Sequence, residues 1–268
     1  MLVMLCVVLL TGLVVPKTAN PAIVNGTGGK IKHDITAGRN VGDNPKVVSW
    51  GLKVNTRGET PEPPAEGVRL LKEHNGIFVG DGIQRKIYFT FDLGYEAGYT
   101  AEVLDTLKAH QIKAVFFLCG NYLKQTELIK RILVEGHSIG NHTARHKDLP
   151  SLSNEEIRQD IAALQEDFTE KYGETMRFFR PPQGRFCART LKIAADQNLK
   201  TVLWSVAIAD WGKAPIDAKT NAAKIASRLH PGAIILMHIT NAGTPEMLKL
   251  LIPQVVEREY IIGTPSEL

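Results

Sequence analysis

The sequence contains two histidines whose spacing allows both side chains to hold one metal ion. They are His142 and His146, in the segment NHTARH. On a helical turn, residues four apart lie on the same face. Hydrolytic metal chemistry needs two neutral nitrogens, an oxygen ligand and an open position for water or substrate. This spacing is common by chance, so it indicates metal chemistry only together with other polar residues at the same place.

Other ionisable residues stand at or just after the ends of apolar runs. Taken singly, such residues are more often turn residues, structural histidines or surface ion pairs. If the runs are parallel strands of one barrel, however, their carboxyl ends meet at one rim. That rim would hold a base, an acid and metal ligands, which favours a hydrolytic site. The residues concerned are Asp92, His142, His146, Arg180 with Pro181 and Pro182, Asp210 with Trp211, and His238.

From residue 86 onward, strand-like runs alternate with helical patterns, which predicts a parallel α/β fold. Short strands each followed by a helix, with no GxGxxG after any of them, favour a distorted (β/α)7-type barrel over a Rossmann sheet. Ser153 followed by Glu156 predicts a capping box at the longest helix. The predicted strands are 86–92, 113–118, 137–141, 176–180, 201–206, 233–238 and 259–263. The predicted helices are 99–110, 127–135, 154–172, 188–197, 221–229 and 245–257.

The N-terminal part of the chain differs from the rest in composition. The first sixteen residues form an uncharged apolar run with the length of a signal-peptide core, which is short for a membrane span. No positively charged segment precedes it, so residues 1–19 are interpreted as either a signal peptide or an N-terminal anchor. We expect an exported, extracytoplasmic protein of the cell wall or membrane surface. Residues 20–47 resemble a flexible linker, 48–85 an N-terminal extension packed on the barrel, and 86–265 the main domain.

The overall composition indicates an ordinary globular protein with a mildly basic surface. The 268 residues carry a net charge of +4, and 44% of them are hydrophobic. Without clustered Lys and Arg residues interleaved with aromatics, nucleic acid is not an expected partner, and no obligate protein partner is evident. Beyond Cys6 in the leader, Cys119 and Cys187 form no disulfide framework and lack metal-ligand spacing. We expect Cys119 to be a small buried apolar residue.

Five segments, in this order, make the chain resemble a known family. They are TFDLG at 90–94, HTARH at 142–146, RPPQG at 180–184, WSVAIADW at 204–211 and LMH at 236–238. The chain resembles the polysaccharide deacetylases, carbohydrate esterases that share the nodulation-type chitooligosaccharide deacetylase domain. The upstream SWGLK and GIFVGD segments are similar to those of the subgroup that forms muramic δ-lactam in the peptidoglycan of spore formers.

The resemblance implies a role for each polar residue at the rim. Asp92 would be the general base, and Arg180 would orient it and keep it ionised. His238 would be the general acid, and Asp210 would raise its pKa. The remaining assignments concern the metal and the substrate. His142 and His146 would hold a divalent metal, with zinc the expected ion, while Trp211, Leu236, Pro181 and Pro182 would contact the substrate.

The chain departs from the family pattern at two positions. Leu93 stands where a second Asp normally ligates the metal, and Ala207 replaces the first Asp of the fourth motif. Leucine supplies no ligand atom, so the metal would rest on His142 and His146 with water or substrate.

The implied substrate is a peptidoglycan glycan strand. The favoured activity is removal of the acetyl group from N-acetylmuramic acid, leading to the δ-lactam of the spore cortex. The alternatives are deacetylation of N-acetylglucosamine in peptidoglycan or chitin-like chains, and a wall-binding pseudoenzyme.

Overall fold

The structure is a computed structural model that describes residues 46–212 and 214–268. The predicted leader and all but the last two residues of the predicted linker lie outside the described residues. Among the helices of the described part, none is both long enough and apolar enough to cross a membrane.

A curled parallel sheet forms the centre of the fold. Its strand order is β7-β5-β4-β3-β2-β9-β8, and β10 pairs with the start of β2. The strands of this sheet are β2 (Lys86–Leu93), β3 (Val115–Leu118), β4 (Ser138–Asn141), β5 (Phe178–Phe179), β7 (Lys200–Thr201), β8 (Val206–Ala207), β9 (Ala233–His238) and β10 (Ile261–Ile262). A separate antiparallel pair consists of β1 (Val48–Ser49) and β6 (Arg185–Phe186). The predicted distorted (β/α)7-type barrel is confirmed.

One predicted strand is divided in two, and this division leaves the barrel open. The run 201–206 contributes β7 at one edge of the sheet and β8 at the other. In the segment between β7 and β8, the Val202 amide donates to the carbonyl oxygen of Phe179 in β5. The Ser205 amide donates to the carbonyl oxygen of Ile234 in β9. The chain therefore crosses from one edge of the sheet to the other within four residues, which a continuous strand cannot do.

Seven helices accompany the strands in the described residues. They are α1 (Ala65–Glu73), α2 (Thr100–Ala109), α3 (Thr126–Val134), α4 (Asn154–Tyr172), α5 (Ala188–Asp196), α6 (Ala218–Ser227) and α7 (Thr244–Glu257). The predicted capping box at α4 is confirmed, because Ser153 Oγ accepts from the Glu156 amide and Glu156 Oε2 accepts from the Ser153 amide. Gly173 ends this helix in the left-handed conformation, which glycine adopts without steric cost.

Side chains alternate between the two faces of the sheet, and this alternation decides what reaches the rim. On β2, Phe91 and Leu93 belong to the large apolar cluster that includes the helices. Tyr88 belongs to a smaller cluster on the inner face, together with Phe117 of β3. Asp92 lies four residues beyond Tyr88, an even number, so it belongs to the same inner face. Leu93 belongs to the opposite face, toward the helices.

The segment before β2 packs closely on the barrel. Trp50 Nε1 donates to Trp204 O at 3.0 Å, and the Trp50 ring lies 6.3 Å from that of Phe186. Ile77 bridges to Val202 and Val79 to Ala233, across the opening between the two edges of the sheet. The contacts of Trp50 place it against β6 and against the segment that crosses between β7 and β8.

Candidate active site

Asp92 and Arg180 form a buried ion pair at the end of β2. Arg180 Nη1 lies 2.8 Å from Asp92 Oδ1, and its Nη2 donates to Thr90 Oγ1 at 3.0 Å. Its Nε donates to the carbonyl oxygen of Val202, so the guanidinium is held from three sides. Burial alone would raise the pKa of Asp92, but the charge and the hydrogen bond of Arg180 outweigh it and lower that pKa. The carboxylate is therefore ionised at neutral pH.

His238 lies beside Asp92, because β2 and β9 pair these two residues in register. Asp210 accepts two hydrogen bonds from His238, one from the backbone N–H and one from Nδ1, both at 2.8 Å. A carboxylate only accepts, so Nδ1 carries a hydrogen and Nε2 is directed elsewhere. Burial alone would lower the pKa of His238, but the hydrogen bond and charge of Asp210, with the charge of Asp92, raise it.

His142 and His146 come together in a loop and not on a helical turn. Thr143 and His146 adopt positive φ angles of 67° and 52°, and Thr143 Oγ1 accepts from the His146 amide at 3.0 Å. The two imidazole centroids are 4.9 Å apart. The two rings are therefore close, as the i,i+4 spacing predicts, but a loop turn and not a helical turn brings them together.

The protonation of these histidines suits a metal site. His142 Nδ1 lies 2.7 Å from the carbonyl oxygen of Arg180, so Nδ1 carries the hydrogen and Nε2 keeps its lone pair. Burial lowers the pKa of His142 to about 4 and also lowers that of His146. The two neutral imidazoles, with the Sγ atom of Cys119, place three ligand atoms within 4.8 Å of one another. These residues fit a divalent metal ion.

The sequence comparisons agree with this geometry. The profile of the polysaccharide deacetylase family matches residues 80–202. The peptidoglycan-N-acetylmuramic acid deacetylase PdaA of Bacillus subtilis is 33% identical, over 82% of this chain and 85% of its own. The chain belongs to the polysaccharide deacetylase family. The solved structure of B. subtilis PdaA, a family 4 carbohydrate esterase, superposes with a TM-score of 0.77 at 31% identity, covering 84% of this chain and 97% of that one.

Two further relatives differ from PdaA in their described activity. A peptidoglycan-N-acetylglucosamine deacetylase of Bacillus cereus is 37% identical, over 69% of this chain and 68% of its own. A family 4 pseudoenzyme from Bacillus anthracis has a solved structure that superposes with a TM-score of 0.67 at 30% identity, covering 72% of this chain and 68% of that one.

The rim of this deacetylase opens into a cavity of about 900 Å³. Asp92, His142, His146 and His238 all line it, which brings the predicted base, metal ligands and acid to one space. Its other walls are largely apolar and aromatic, as is typical of small-molecule and sugar sites. They include Trp50, Leu52, Val54, Tyr95, Trp204, Trp211 and Leu236.

Two of the predicted substrate contacts lie outside the cavity. Pro181 and Pro182 are buried and do not line the cavity, whereas Gln183 and Gly184 of the same motif do. The physical reason is a tight turn in which Gln183 has a φ of 59° and Gly184 a φ of 62°. The two proline rings shape this turn, and the residues after them reach the cavity.

Sequence reasoning missed three residues of the site. Trp204 and Arg228 line the cavity, but neither stands at the end of a predicted strand. Cys119 was expected to be a plain buried residue, and it is buried, yet its sulfur lies with the two histidines. No local sequence pattern indicates this proximity, because Cys119 follows β3 and the histidines follow β4, which is adjacent to β3 only in the folded sheet.

Proposed function

We propose that this deacetylase hydrolyses the acetamide of N-acetylmuramic acid in peptidoglycan. The observation that carries the proposal is the pairing of Asp92 and His238 in register on neighbouring strands. Asp92 is held ionised, and the pKa of His238 is raised. An amide needs this combination, because the water must be deprotonated while the departing amine must be protonated.

The chain's own residues account for the proton transfers. Asp92 accepts a proton from the attacking water as the new C–O bond forms, and Arg180 keeps the carboxylate in place. His238 then donates a proton to the nitrogen as the C–N bond breaks, which releases acetate and a free amine. His142 and His146 would hold a divalent ion, zinc in our proposal, which supplies Lewis-acid polarisation of the acetamide carbonyl when bound.

Apolar side chains next to His238 are proposed to hold the acetyl methyl group. Leu236 precedes His238 by two residues on β9, and both line the cavity. The Trp211 ring lies 5.4 Å from the His238 ring and is 61% exposed, so it can also cover a sugar face. Together they would fix the acetamide beside the base and the acid.

Arg228 favours muramic acid over glucosamine as the substrate sugar. Arg228 lines the cavity, its Nη1 donates to Ala207 O at 2.7 Å, and it forms no salt bridge with any described residue. A guanidinium has five donors in a planar fork that matches a carboxylate. N-acetylmuramic acid without a stem peptide carries a free lactyl carboxylate, and N-acetylglucosamine has none. The similarity to the B. subtilis muramic acid deacetylase over most of both chains supports the same choice.

The product of this reaction would carry a free amine near the lactyl carboxyl group. These are the two groups that a muramic δ-lactam joins, with loss of water. Because peptidoglycan lies outside the cytoplasm, the proposed substrate also accords with export through the predicted leader at 1–19, and with a role in the spore cortex.

Two alternatives remain, each with its own support. Similarity to the B. cereus enzyme supports N-acetylglucosamine as the substrate, whereas Leu93 and similarity to the B. anthracis pseudoenzyme support a wall-binding protein without activity.

Mass spectrometry of glycan strands distinguishes the proposed activity from its two alternatives. Strands with and without stem peptides are incubated with the zinc-loaded protein and then digested to disaccharides. Loss of acetyl from muramic acid supports the proposal, while loss from glucosamine alone supports the first alternative. No loss from either strand type supports the pseudoenzyme.

A further inference from the structure

We propose that Cys119 is a third protein ligand of the metal site. The inference concerns only how the ion is held, and it does not depend on which sugar is deacetylated. It starts from the finding that Leu93, at the position of the family's usual carboxylate ligand, packs fully buried in the apolar cluster against the helices. A ligand set of two histidines is therefore short of one donor, since catalytic zinc sites commonly have three protein ligands.

The strand register brings Cys119 to the correct face of the sheet. Phe117 pairs with Asp92 on one side and with Gly140 on the other. Cys119 follows Phe117 by two residues and His142 follows Gly140 by two, so both continue the same face toward the rim. The Cys119 amide donates to Leu93 O at 3.0 Å, which fixes the cysteine beside the end of β2.

The distances are compatible with ligation after a small movement. The donor atoms of Cys119, His142 and His146 lie within 4.8 Å of one another. With Zn–S and Zn–N bonds of ordinary length, tetrahedral ligands are about 3.3–3.6 Å apart. The donors would therefore need to approach by no more than about 1.5 Å. Cys119 Sγ already lies 3.4 Å from the carbonyl oxygen of His142, next to the first imidazole.

Cys119 and His142 are buried and His146 is exposed, so a bound ion would keep an open coordination position on the cavity side. Cys119 is 3% exposed and does not line the cavity, whereas His142 and His146 do. Asp92 Oδ2 lies 3.5 Å from His142 Nε2, so the proposed base stands beside the ion position. With an ion bound, three protein ligands and an open position would give the arrangement that is common at catalytic zinc sites.

The proton balance of ligation is simple. Burial, with the charges of Asp92 and Asp160, raises the pKa of the Cys119 thiol, so the sulfur is protonated when no ion is bound. On ligation the S–H bond breaks, the proton passes to solvent, and a sulfur lone pair forms the bond to the ion. No redox change is involved.

Cobalt substitution tests this ligation directly, because a thiolate bound to Co²⁺ gives an intense near-ultraviolet charge-transfer absorption that imidazole ligands do not give. The full chain is stripped of metal and titrated with Co²⁺, and zinc affinity is then measured by competition. The variant is Cys119→Val, and the matched control is Cys187→Val. Cys187 is equally buried, contacts Thr190 Oγ1 at 3.3 Å and lies outside the donor cluster. All the proteins retain Cys6, so its contribution cancels.

We expect the absorption in the wild type and in Cys187→Val, and its loss in Cys119→Val together with a fall in zinc affinity of more than about tenfold. Thermal melting without metal checks the fold, and Cys119→Ser replaces the valine variant if that one fails to fold. Cobalt binding without the absorption, unchanged zinc affinity in the Cys119 variant, or no metal binding by the wild type would each overturn the inference. Loss of activity with the absorption intact would instead count against the proposed function.

Discussion

Asp210 contacts His238 through both of its carboxylate oxygens. Oδ2 accepts the backbone N–H and Oδ1 accepts Nδ1–H, each at 2.8 Å. Asp210 is fully buried, so the carboxylate of this pair is shielded from solvent. The arrangement fixes the orientation of the imidazole and supports its protonated form, which is the form that a general acid must have at the start of the reaction.

Replacing Asp210 by Asn should therefore move the alkaline limb of the pH–rate profile to lower pH. The raised pKa of His238 keeps the acid protonated up to a higher pH, and removing the negative charge lowers that pKa. The measurement is kcat/KM for acetyl release across the pH range. Asp196→Asn, which affects only an exposed ion pair with Lys192, is the control. An alkaline limb that stays in place would show that Asp210 does not tune the acid.

Replacing Asp92 by Asn should reduce both activity and stability. Loss of the base costs about 10²–10⁴-fold in rate. The change also leaves Arg180 buried without its counter-charge, which typically costs about 3–5 kcal/mol. His238→Ala should lose comparable activity with a smaller change in stability, because the His238 side chain is 24% exposed and Asp210 retains the backbone N–H of residue 238. Acetate release and chemical denaturation measure the two effects.

The stability cost of Asp92→Asn should depend on pH in a defined direction. The folded-state pKa of Asp92 lies below its ordinary value. Its contribution to stability is therefore complete above about pH 4, the pKa of an unfolded-state aspartate, and is lost as the pH falls through the folded-state pKa. Denaturation of both proteins from pH 7 downward should show their free energies of unfolding converging in acid. A constant difference would contradict the ion pair.

Replacing Leu93 by Asp should destabilise the fold and should not create a metal ligand. The side chain is fully buried in the apolar cluster, on the face opposite Asp92. An unpaired carboxylate there should cost a few kcal/mol, about as much as other buried polar groups without partners. Leu93→Asn, with the same shape and no charge, is the matched variant. Thermal melting gives the stability, and zinc titration of the folded fraction should show no gain. A large gain in zinc affinity would mean that position 93 faces the ion.

Replacing Arg228 by Gln should discriminate between sugars. We expect kcat/KM for N-acetylmuramic acid strands without stem peptides, which carry a free lactyl carboxylate, to fall about tenfold. This is less than a buried charge-assisted hydrogen bond contributes, because Arg228 is partly exposed. Activity on N-acetylglucosamine oligomers, if measurable, should stay unchanged. Lys224→Gln removes a cation from the same helix outside the cavity and serves as the control. Equal losses on both sugars would remove Arg228 from the specificity argument.

Much of the site could be predicted because it lies at the ends of unbroken apolar runs. Asp92 stands one residue before the end of β2 and His238 ends β9, and strand alternation alone determines which face they join. The run 201–206 was different, since its composition is that of one strand while its backbone bonds to two separate edges of the sheet. Such a crossing depends on tertiary contacts that a local pattern does not contain.

The remaining parts of the site depend on neighbours distant in sequence. The turn that joins His142 to His146 uses positive φ at Thr143, a conformation that threonine rarely adopts and that no residue pattern announces. Cys119 approaches the histidines only because β3 and β4 are adjacent. Arg228 lines the cavity from the C-terminal end of α6. From the sequence, a cation at this place indicates only a favourable charge at the end of a helix.

The central claim is that this protein is an active hydrolase that uses Asp92 to activate water at an N-acetylmuramic acid acetamide. Its most direct test is mass spectrometry of the acetate released from peptidoglycan strands in oxygen-18-labelled water. The account predicts labelled acetate and a free amine on muramic acid with the zinc-loaded wild type, and a rate lower by at least about 100-fold with folded Asp92→Asn. No labelled acetate from the folded, zinc-loaded wild type, or equal rates for the two proteins, would contradict it.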